Sequence, residues 1–227
     1  ADSRRWRNVL QMAFGQQKMF KRPVAAVLHL MVYIGFVVIN LEVLEFVIDG
    51  LAGTHRIFAP PLGGFYGVLM NIFEFLAFSV LIACVFFLVR RNVLRLPRFQ
   101  SSELTRWPLL DANIILVSEI VLMMAILTMN AADQQLQILV AEHYTDTGRM
   151  VISATLLPLL DDWSVSSLIV LERAVWWFHI IGILGFAVYI TWSKHLHIIL
   201  AFPNTWYARL EPHGQMNNMP AVTREVR

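Results

Sequence analysis

Long apolar runs separated by polar connections dominate the pattern of this sequence. Four such runs, at residues 24–48, 65–89, 112–129 and 168–192, are each near the length of about 20 residues with which an α-helix crosses a bilayer. The apolar residues are continuous within each run rather than alternating, so the pattern favours helices over the strands of a membrane barrel. We therefore predict an all-α membrane protein built as a bundle of four transmembrane helices.

The composition supports this prediction and excludes one kind of site. Hydrophobic residues make up 57% of the chain and charged residues only 15%, whereas a soluble domain usually carries about 25% charge. The single cysteine, Cys84, lies inside the second apolar run. One cysteine forms no intrachain disulfide, and it cannot hold an iron–sulfur cluster of the usual kind by itself.

The polar segments define the expected domain organisation. Residues 1–22 mix Arg and Lys with Trp, Leu, Met and Phe, which predicts an N-terminal interfacial amphipathic helix leading into Pro23. Residues 23–203 form the predicted transmembrane domain, and residues 204–227 a polar tail. The chain begins with Ala and stops abruptly after this tail, so we expect it to be processed or to be a fragment.

Charge along the connections predicts the orientation in the membrane. The second connection, around residues 90–107, carries five arginines, and further basic residues follow the fourth run. The third connection, residues 130–167, is mostly acidic and holds an apolar stretch at 150–160 that suggests a short surface helix. Because positive residues are retained inside, both termini are predicted to be cytoplasmic.

Five of the seven histidines lie in or beside the first and fourth runs, while His143 and His213 lie in polar segments. Ionisable groups in a membrane helix are costly and are usually functional. His179 and His197 are five helical turns apart, so a continuous helix would place both on one face, about 27 Å apart. His195 is offset from that face by about 160°. Two imidazoles at two depths suggest axial ligands for two stacked haems; the alternative is that His179 bonds a carbonyl across a helix interface.

A six-coordinate haem needs a second imidazole at matching depth. His29, near the inner end of the first run, matches His197. For His179 the available outer histidine is His55, which a continuous helix would place about 39 Å from His29. Gly50 and Gly53 are expected to end the helix, and the chain would then fold back to bring His55 inward. The predicted haem ligands are His29, His197, His179 and His55.

Acidic residues suggest a second kind of chemistry, because quinone reduction takes up two protons and quinol oxidation releases them. Glu45 and Asp49 share a face of the first helix, and Arg56 follows them, so these three are the predicted quinone-site residues. Glu42, Glu74 and Glu119 also lie in apolar runs. The alternative is that these acids bond backbone groups, or pair with Arg56 or Arg173, to hold the bundle.

Two segments, "FHIIGILGF" and "SKHLHIILAFPN", resemble the last core helix of the nitrate reductase gamma subunit family of dihaem cytochromes b. The resemblance implies that His179 and His197 each serve one haem b and that His29 is a partner ligand. The second partner of that family normally follows ten residues after the first, and this sequence has Ile39 there. One or two haems b are therefore expected.

Further segments are similar to a group of bacterial membrane iron–sulfur oxidoreductases that resemble heterodisulfide reductase and electron-transfer flavoprotein:menaquinone oxidoreductase membrane proteins. They include "GTHRIFAPPLGGFY", "RRNVLRLPRF" and "LTMNAAD". This similarity implies [4Fe-4S] clusters on a linked domain or partner, menaquinone as substrate, and a multi-pass place in the bacterial inner membrane. The expected partners are lipid, quinone, an iron–sulfur domain or subunit and electron-transfer flavoprotein, with no nucleic acid.

Three functions are compatible with these features. The leading hypothesis is a membrane cytochrome b module that passes electrons between cytoplasmic iron–sulfur centres and the quinone pool. The alternative is a non-redox membrane anchor or assembly subunit of a respiratory complex. A proton-coupled transporter using the buried glutamates is the third, although the sequence shows neither an inverted repeat nor a broken helix to support it.

Overall fold

In the computed structural model, residues 3–94, 106–140, 142 and 144–210 are described, and every regular element among them is helical. This confirms the all-α prediction. The basic residues predicted at 95–105, His143, His213 and the tail from residue 211 lie outside the described residues. In chain order the α-helices are α1 (Ser3–Val9), α2 (Pro23–Ala52), α3 (Ala59–Leu62), α4 (Gly64–Asn92), α5 (Trp107–Leu139), α6 (Val165–Ile190) and α7 (His197–Trp206).

Four of these helices, α2, α4, α5 and α6, are long and apolar enough to cross a membrane. They confirm the four predicted spans. Residues 23–195 form one compact unit, in which α2 packs on α4, α4 on α5, and α5 on α6. The outward faces carry exposed large side chains such as Val37, Phe75 and Leu184, as expected where lipid takes the place of water.

Small residues let the first two long helices approach closely. Gly35 of α2 lies against Val80 of α4, and a β-carbon at Gly35 would overlap the Val80 side chain. Ala77 and Ala83 of α4 are also fully buried. Apolar helices gain no hydrophobic energy from associating in lipid, so close van der Waals packing of this kind is a main source of bundle stability.

The third long helix is longer than its apolar run predicts. We expected a connection at residues 130–167, but α5 continues through Leu139, so that prediction is wrong for residues 130–139. Asn130 and Asp133 are buried inside the bundle, at 1% and 2% exposure. Both accept hydrogen bonds from the Arg56 side chain, and a polar helical residue that is satisfied in this way need not leave the bundle.

The connection after α5 contains the short helix that the sequence predicts at 150–160. It is a 3₁₀ helix, Ser153–Leu159. Glu74 of α4 fixes its start by accepting hydrogen bonds from the backbone of Ile152 at 3.0 Å and from the Ser153 hydroxyl. Glu74 therefore has a structural role, as the alternative interpretation of the buried acids proposed.

Helix α6 ends earlier than the sequence analysis assumed. It stops at Ile190, a 3₁₀ turn follows at Lys194–Leu196, and His197 begins a separate helix. Asp111 of α5 stabilises this break, since its carboxylate accepts hydrogen bonds from the Tyr189 hydroxyl at 2.6 Å and from the Lys194 backbone at 3.1 Å. The assumption of one continuous helix from His179 to His197 is wrong, so their spacing does not fix a common face.

Among the described residues, the second compact unit comprises residues 3–22 and 196–210. The expected N-terminal helix is present as α1 and a π-helical turn, Leu10–Phe14, and it ends at Gly15. Trp6 packs edge-on against Trp206 of α7 with ring centroids 4.8 Å apart, and Asn8 donates a hydrogen bond to the Thr205 carbonyl at 2.5 Å. Helix α7 therefore belongs to this unit rather than to the transmembrane domain predicted at 23–203.

Candidate functional sites in the four-helix unit

Two cavities in the four-helix unit contain residues that the sequence analysis singled out. The His179 cavity lies among α2, α4, α5 and α6, has a volume of about 70 Å³ and is mostly apolar. The Arg56 cavity lies where α2 and α5 end and α6 begins, and has a volume of about 250 Å³. Its apolar wall consists of Phe46, Met129, Trp176 and Trp177, and its polar wall includes Asp49, His55, Arg56, Asp133 and Glu172.

His179 is a buried imidazole without good hydrogen bonds. Its side chain is 1% exposed, and neither ring nitrogen has a hydrogen-bond partner of good geometry among the described residues, although the Leu122 backbone lies close enough to interact with it. The Phe46 ring stands edge-on to the imidazole, with centroids 6.2 Å apart. Buried polar atoms normally find partners, so this orphaned imidazole requires an explanation.

An imidazole with unpaired nitrogens inside a membrane bundle suits the axial position of a haem iron. The surroundings fit one such ligand and not two, because His179 is the one histidine among the residues that line this cavity and Ile39 is also among them. A cavity of 70 Å³ is also far smaller than the roughly 300 Å³ or more of a typical cofactor site. Leu122 occupies the space beside Gly182, where a β-carbon would lie 2.7 Å from Leu122 Cδ2, so a macrocycle would require this side chain to move.

Glu119 of α5 shares the His179 cavity. Its side chain is 9% exposed and lies in the middle of the helix, far from the charged chain segments. An acid and an imidazole around one small interior cavity are the groups from which a proton-linked redox site can be built. The sequence analysis named Glu119 only as a candidate acid and had no reason to place it beside His179.

Arg56 holds together the end of the bundle at which its cavity lies. It has a left-handed backbone conformation with φ of 55°, and its side chain is 3% exposed. The guanidinium donates to Asp133 at 2.9 Å and to Asn130 at 3.0 Å, and it lies 3.6 Å from Glu42. It also lies over the Phe46 ring at 6.0 Å. This one cation thereby connects α5 to α2.

The Arg56 side chain stays protonated although it is buried. Burial by itself would lower the pKa of the guanidinium, but the negative charge of Asp133 raises it above its ordinary value. Arg56 therefore remains a permanent positive charge, and its Nε and Nη2 donors bond Asp133 and Asn130. A ligand in the cavity would experience its field rather than replace its partners.

Two of the predicted quinone-site acids anchor the loop that carries Arg56. Asp49 accepts hydrogen bonds from the backbone of Arg56 at 2.9 Å and from the Thr54 hydroxyl at 2.5 Å. Glu45 accepts from the Phe58 backbone at 3.0 Å and from the Tyr66 hydroxyl at 2.7 Å. Asp49 and Arg56 line the cavity, whereas Glu45 is not among its lining residues. These contacts agree with the structural interpretation of Glu45 and Asp49.

His55 lies on the wall of the Arg56 cavity and not on that of the His179 cavity. Its Nε2 is 3.1 Å from Asp133 Oδ1, and its ring stands edge-on to Tyr144. Its Nδ1 is buried and has no hydrogen-bond partner within the part of the chain that the structure describes. Burial, followed by the charge of Glu172, raises the pKa of the Tyr144 phenol. The fold-back of the chain that the sequence analysis required is present, but it directs His55 towards Asp133.

The other two predicted ligands lie in different units. His29 is half-buried in α2 of the four-helix unit, and His197 begins α7 of the other unit. Their pairing around a haem stays a prediction.

Sequence reasoning missed three residues of the Arg56 cavity region. Asp133 and Asn130 were assigned to a connection, and Glu172 was not considered. A signal for the first two does exist, because Asn130, Asp133 and Gln137 recur at helical spacing and continue one face of α5. Gln137 indeed donates a hydrogen bond to Asp133 at 3.2 Å. Glu172 carried no signal of this kind.

The chain is similar to a curated iron–sulfur protein. It is 26% identical, over 94% of its own length, to the protein named "Probable iron-sulfur-binding oxidoreductase FadF" of Bacillus subtilis (strain 168). The chain spans only 28% of the length of that relative. No protein-family model and no solved structure matches the chain.

Proposed function

We propose that this chain is a membrane cytochrome b module that passes electrons between iron–sulfur centres and the quinone pool. The observation that carries the proposal is His179, a fully buried imidazole inside a bundle of membrane-spanning length. Neither of its ring nitrogens has a hydrogen bond of good geometry among the described residues. A histidine kept only for packing would be expected to bond a neighbouring group. The similarity to the Bacillus subtilis relative, whose name describes an iron-sulfur-binding oxidoreductase, supports the redox part of the proposal.

In this proposal His179 would be the α6 ligand of one haem b, with Leu122 displaced from beside Gly182 to make room for the macrocycle. His29 and His197 remain the ligands that the sequence predicts for a second haem. A bound haem b supplies one-electron transfer. His179 would supply an imidazole ligand to such a group, the valine, leucine, isoleucine and phenylalanine side chains of the cavity would keep water away from it, and Glu119 is the acid that shares the cavity. His179 is the one histidine on the cavity wall, so this site would have a single imidazole ligand.

The Arg56 cavity is the proposed quinone site. It combines aromatic walls with a few polar groups, which is the usual design of small-molecule sites, and it lies near the helix ends, where a lipid-soluble quinone can enter from the bilayer. Of the predicted acids, Asp49 lines this cavity, while Glu45 holds the loop that carries Arg56 by accepting a hydrogen bond from the Phe58 backbone. The iron–sulfur partner, the electron-transfer flavoprotein, the bacterial inner membrane and cytoplasmic termini belong to the same proposal.

The decisive experiment measures haem in the purified protein. Reduced-minus-oxidised spectra and a pyridine haemochrome assay are recorded for the wild type and for His179→Ala, His29→Ala and His197→Ala. We expect a b-type α band in the wild type and a reduced haem content in each variant. His195→Ala is the matched control, because the His195 ring contacts the Phe186 ring in a tilted arrangement, with centroids 5.7 Å apart, near the end of the four-helix unit. Its haem content should equal that of the wild type.

The outcomes separate the alternatives. Loss of haem in His29→Ala and His197→Ala but not in His179→Ala would leave one haem and remove His179 as a ligand. A wild-type protein that lacks a b-type band when produced with adequate haem would refute the proposal and favour the non-redox anchor.

A further inference from the structure

The second compact unit has basic residues and no acidic residue in its described segments, 3–22 and 196–210. Six basic residues lie in the first segment and one in the second. Arg5 is half-buried and donates to the Trp206 carbonyl across the unit. The other six are exposed: Arg4, Arg7, Lys18, Lys21, Arg22 and Arg209. The acids nearest in the chain, Asp2 and Glu211, lie outside the described residues. A surface with one sign of charge attracts a partner of the opposite sign.

An exposed apolar stripe runs along the N-terminal part of this unit. Trp6, Leu10 and Phe14 recur every four residues through α1 and the π-helical turn, so they lie on one face. Their side chains are 55%, 58% and 48% exposed. Arg4 and Arg7 are three positions apart and lie on the neighbouring face. The first segment therefore separates apolar from cationic side chains.

Helix α7 widens this apolar stripe. The Phe14 ring contacts the Phe202 ring with centroids 5.1 Å apart, and the contact between Trp6 and Trp206 lies further along the same pair of helices. Ile199 precedes Phe202 by one helical turn, and both side chains are exposed. Two segments that are far apart in the chain thus form one apolar surface. We call it the two-helix apolar surface, and it consists of Trp6, Leu10, Phe14, Ile199 and Phe202.

The connections of the chain place this unit at a membrane boundary. Arg22 is followed directly by Pro23, which begins α2, the first membrane-length helix, and α7 follows α6, the fourth. Because the segments before the first span and after the fourth are in contact, both lie on one side of the membrane. Exposed tryptophan, leucine and phenylalanine beside arginine and lysine are typical of segments that lie in the headgroup region. These features favour a lipid leaflet over an acidic protein as the partner.

We propose that residues 3–22 and 196–210 form one binding unit for anionic phospholipid, in which the two-helix apolar surface enters the headgroup region and the exposed cations bind lipid phosphates. The proposal goes beyond an interfacial helix at residues 1–22, because α7 supplies part of the surface and the charge selects the lipid. It does not depend on haem or quinone. Each Lys or Arg near an anionic leaflet strengthens binding by about fivefold, so several together discriminate strongly against a zwitterionic leaflet.

The test locates single fluorophores on the full-length protein. Cys84→Ala removes the native thiol, and Leu10→Cys or Gln11→Cys then carries an environment-sensitive NBD label. Successive residues of this helical turn point about a quarter turn apart, so Leu10 reports the apolar surface. Gln11, which is exposed and follows Arg7 by one turn, is the matched control. The protein is placed in nanodiscs of phosphatidylcholine, with or without phosphatidylglycerol, and a doxyl-labelled lipid quenches fluorophores that reach the bilayer.

In discs with phosphatidylglycerol we expect strong quenching of the Leu10 label and weak quenching of the Gln11 label. The ratio of docked to undocked unit, read from the Leu10 label, should be at least about fivefold lower in phosphatidylcholine alone. Replacing three exposed cations with glutamine, at Arg7, Lys18 and Lys21, should lower this ratio roughly a hundredfold in phosphatidylglycerol. Exchanging arginine and lysine at the same three positions keeps the charge and should keep the ratio. About 0.5 M NaCl should weaken docking, because salt screens exposed charges.

Three results would overturn the proposal. Equal quenching of the Leu10 label with and without phosphatidylglycerol would show that the unit does not select lipid by charge. Equal quenching at Leu10 and Gln11 would show that the two-helix apolar surface does not face the lipid. A Leu10 label that stays open to aqueous iodide in phosphatidylglycerol would leave this surface to an acidic protein partner. If the triple glutamine variant fails to fold, the comparison of the two lipid compositions still decides.

Discussion

Asp133 is the residue whose loss should most disturb the end of the bundle that carries the Arg56 cavity. Its carboxylate accepts hydrogen bonds from Arg56 through Nη2 at 2.9 Å and Nε at 3.3 Å, from His55 at 3.1 Å and from Gln137 at 3.2 Å. The substitution Asp133→Asn keeps the size of the side chain and removes its charge. Arg56 would then retain only Glu42, at 3.6 Å, as a charged partner.

The size of the destabilisation follows from the burial of the Asp133–Arg56 ion pair. Asp133 and Arg56 are 2% and 3% exposed, so the charge left behind is poorly solvated. Breaking a buried ion pair by removing one partner costs about 3–5 kcal/mol. At about 2–4 °C per kcal/mol for a chain of this size, the melting temperature should fall by roughly 6–20 °C.

The thiol of Cys84 allows unfolding to be measured. It is the single cysteine of the chain and is 1% exposed within the four-helix unit, so a thiol-reactive fluorophore reports the opening of that unit on heating in detergent or nanodiscs. Arg56→Met and the double variant Arg56→Met/Asp133→Asn complete a thermodynamic cycle. Because the two side chains share one interaction, the double variant should be less destabilised than the sum of the single variants, by about 0.5–3 kcal/mol.

Two results would refute this reasoning. One is a melting temperature for Asp133→Asn within 2 °C or so of the wild type, the range expected for a surface change of about 0.5 kcal/mol. The other is strict additivity in the cycle. Asp161→Asn, at an exposed position, controls for the loss of one negative charge.

Two further predictions concern packing in the same unit. Gly35→Ala should lower the melting temperature in the Cys84 assay, because the new methyl group would overlap Val80 and overpacking typically costs about 1–3 kcal/mol. Adding Val80→Ala should restore most of the lost stability. Gly185→Ala should leave the melting temperature unchanged, because a β-carbon there meets nothing within 4 Å. Glu74→Ala removes the acceptor for the backbone N–H groups of Ile152 and Ser153, so limited proteolysis should cut within residues 144–160 faster than in the wild type. Glu142→Ala should not change the rate of cleavage. Equal cleavage rates for both variants would show that Glu74 does not hold this segment.

The spans were predictable because their signal is local. Each predicted run corresponds to one helix, since a helix that crosses lipid must be apolar at almost every position. The predicted helix boundaries are wrong where polar residues lie inside the bundle. Asn130 and Asp133 were interpreted as the start of a connection, because their partner, Arg56, is more than 70 positions earlier in the chain.

The predicted common face of His179 and His197 depended on one wrong assumption. The prediction assumed that the helix bearing His179 continues to His197, whereas Asp111 of a different helix stabilises a break after Ile190. Helix periodicity carries no information about such a long-range cap. The same reasoning correctly distinguished His179 as a histidine inside the bundle, because it depended only on the apolar residues around it.

The sequence by itself determined the number and type of the membrane-length helices and the presence of ionisable groups within them, because hydrocarbon forbids unpaired backbone at any position along a span. Only the tertiary structure decided what each ionisable group does. The Arg56 guanidinium contacts acids of two helices, Glu45 and Asp49 hold a loop, and among the described residues neither ring nitrogen of His179 has a hydrogen-bond partner of good geometry. The physical reason is that the cost of a buried charge or dipole depends on the groups within a few ångströms of it, and these come from parts of the chain that sequence spacing does not relate.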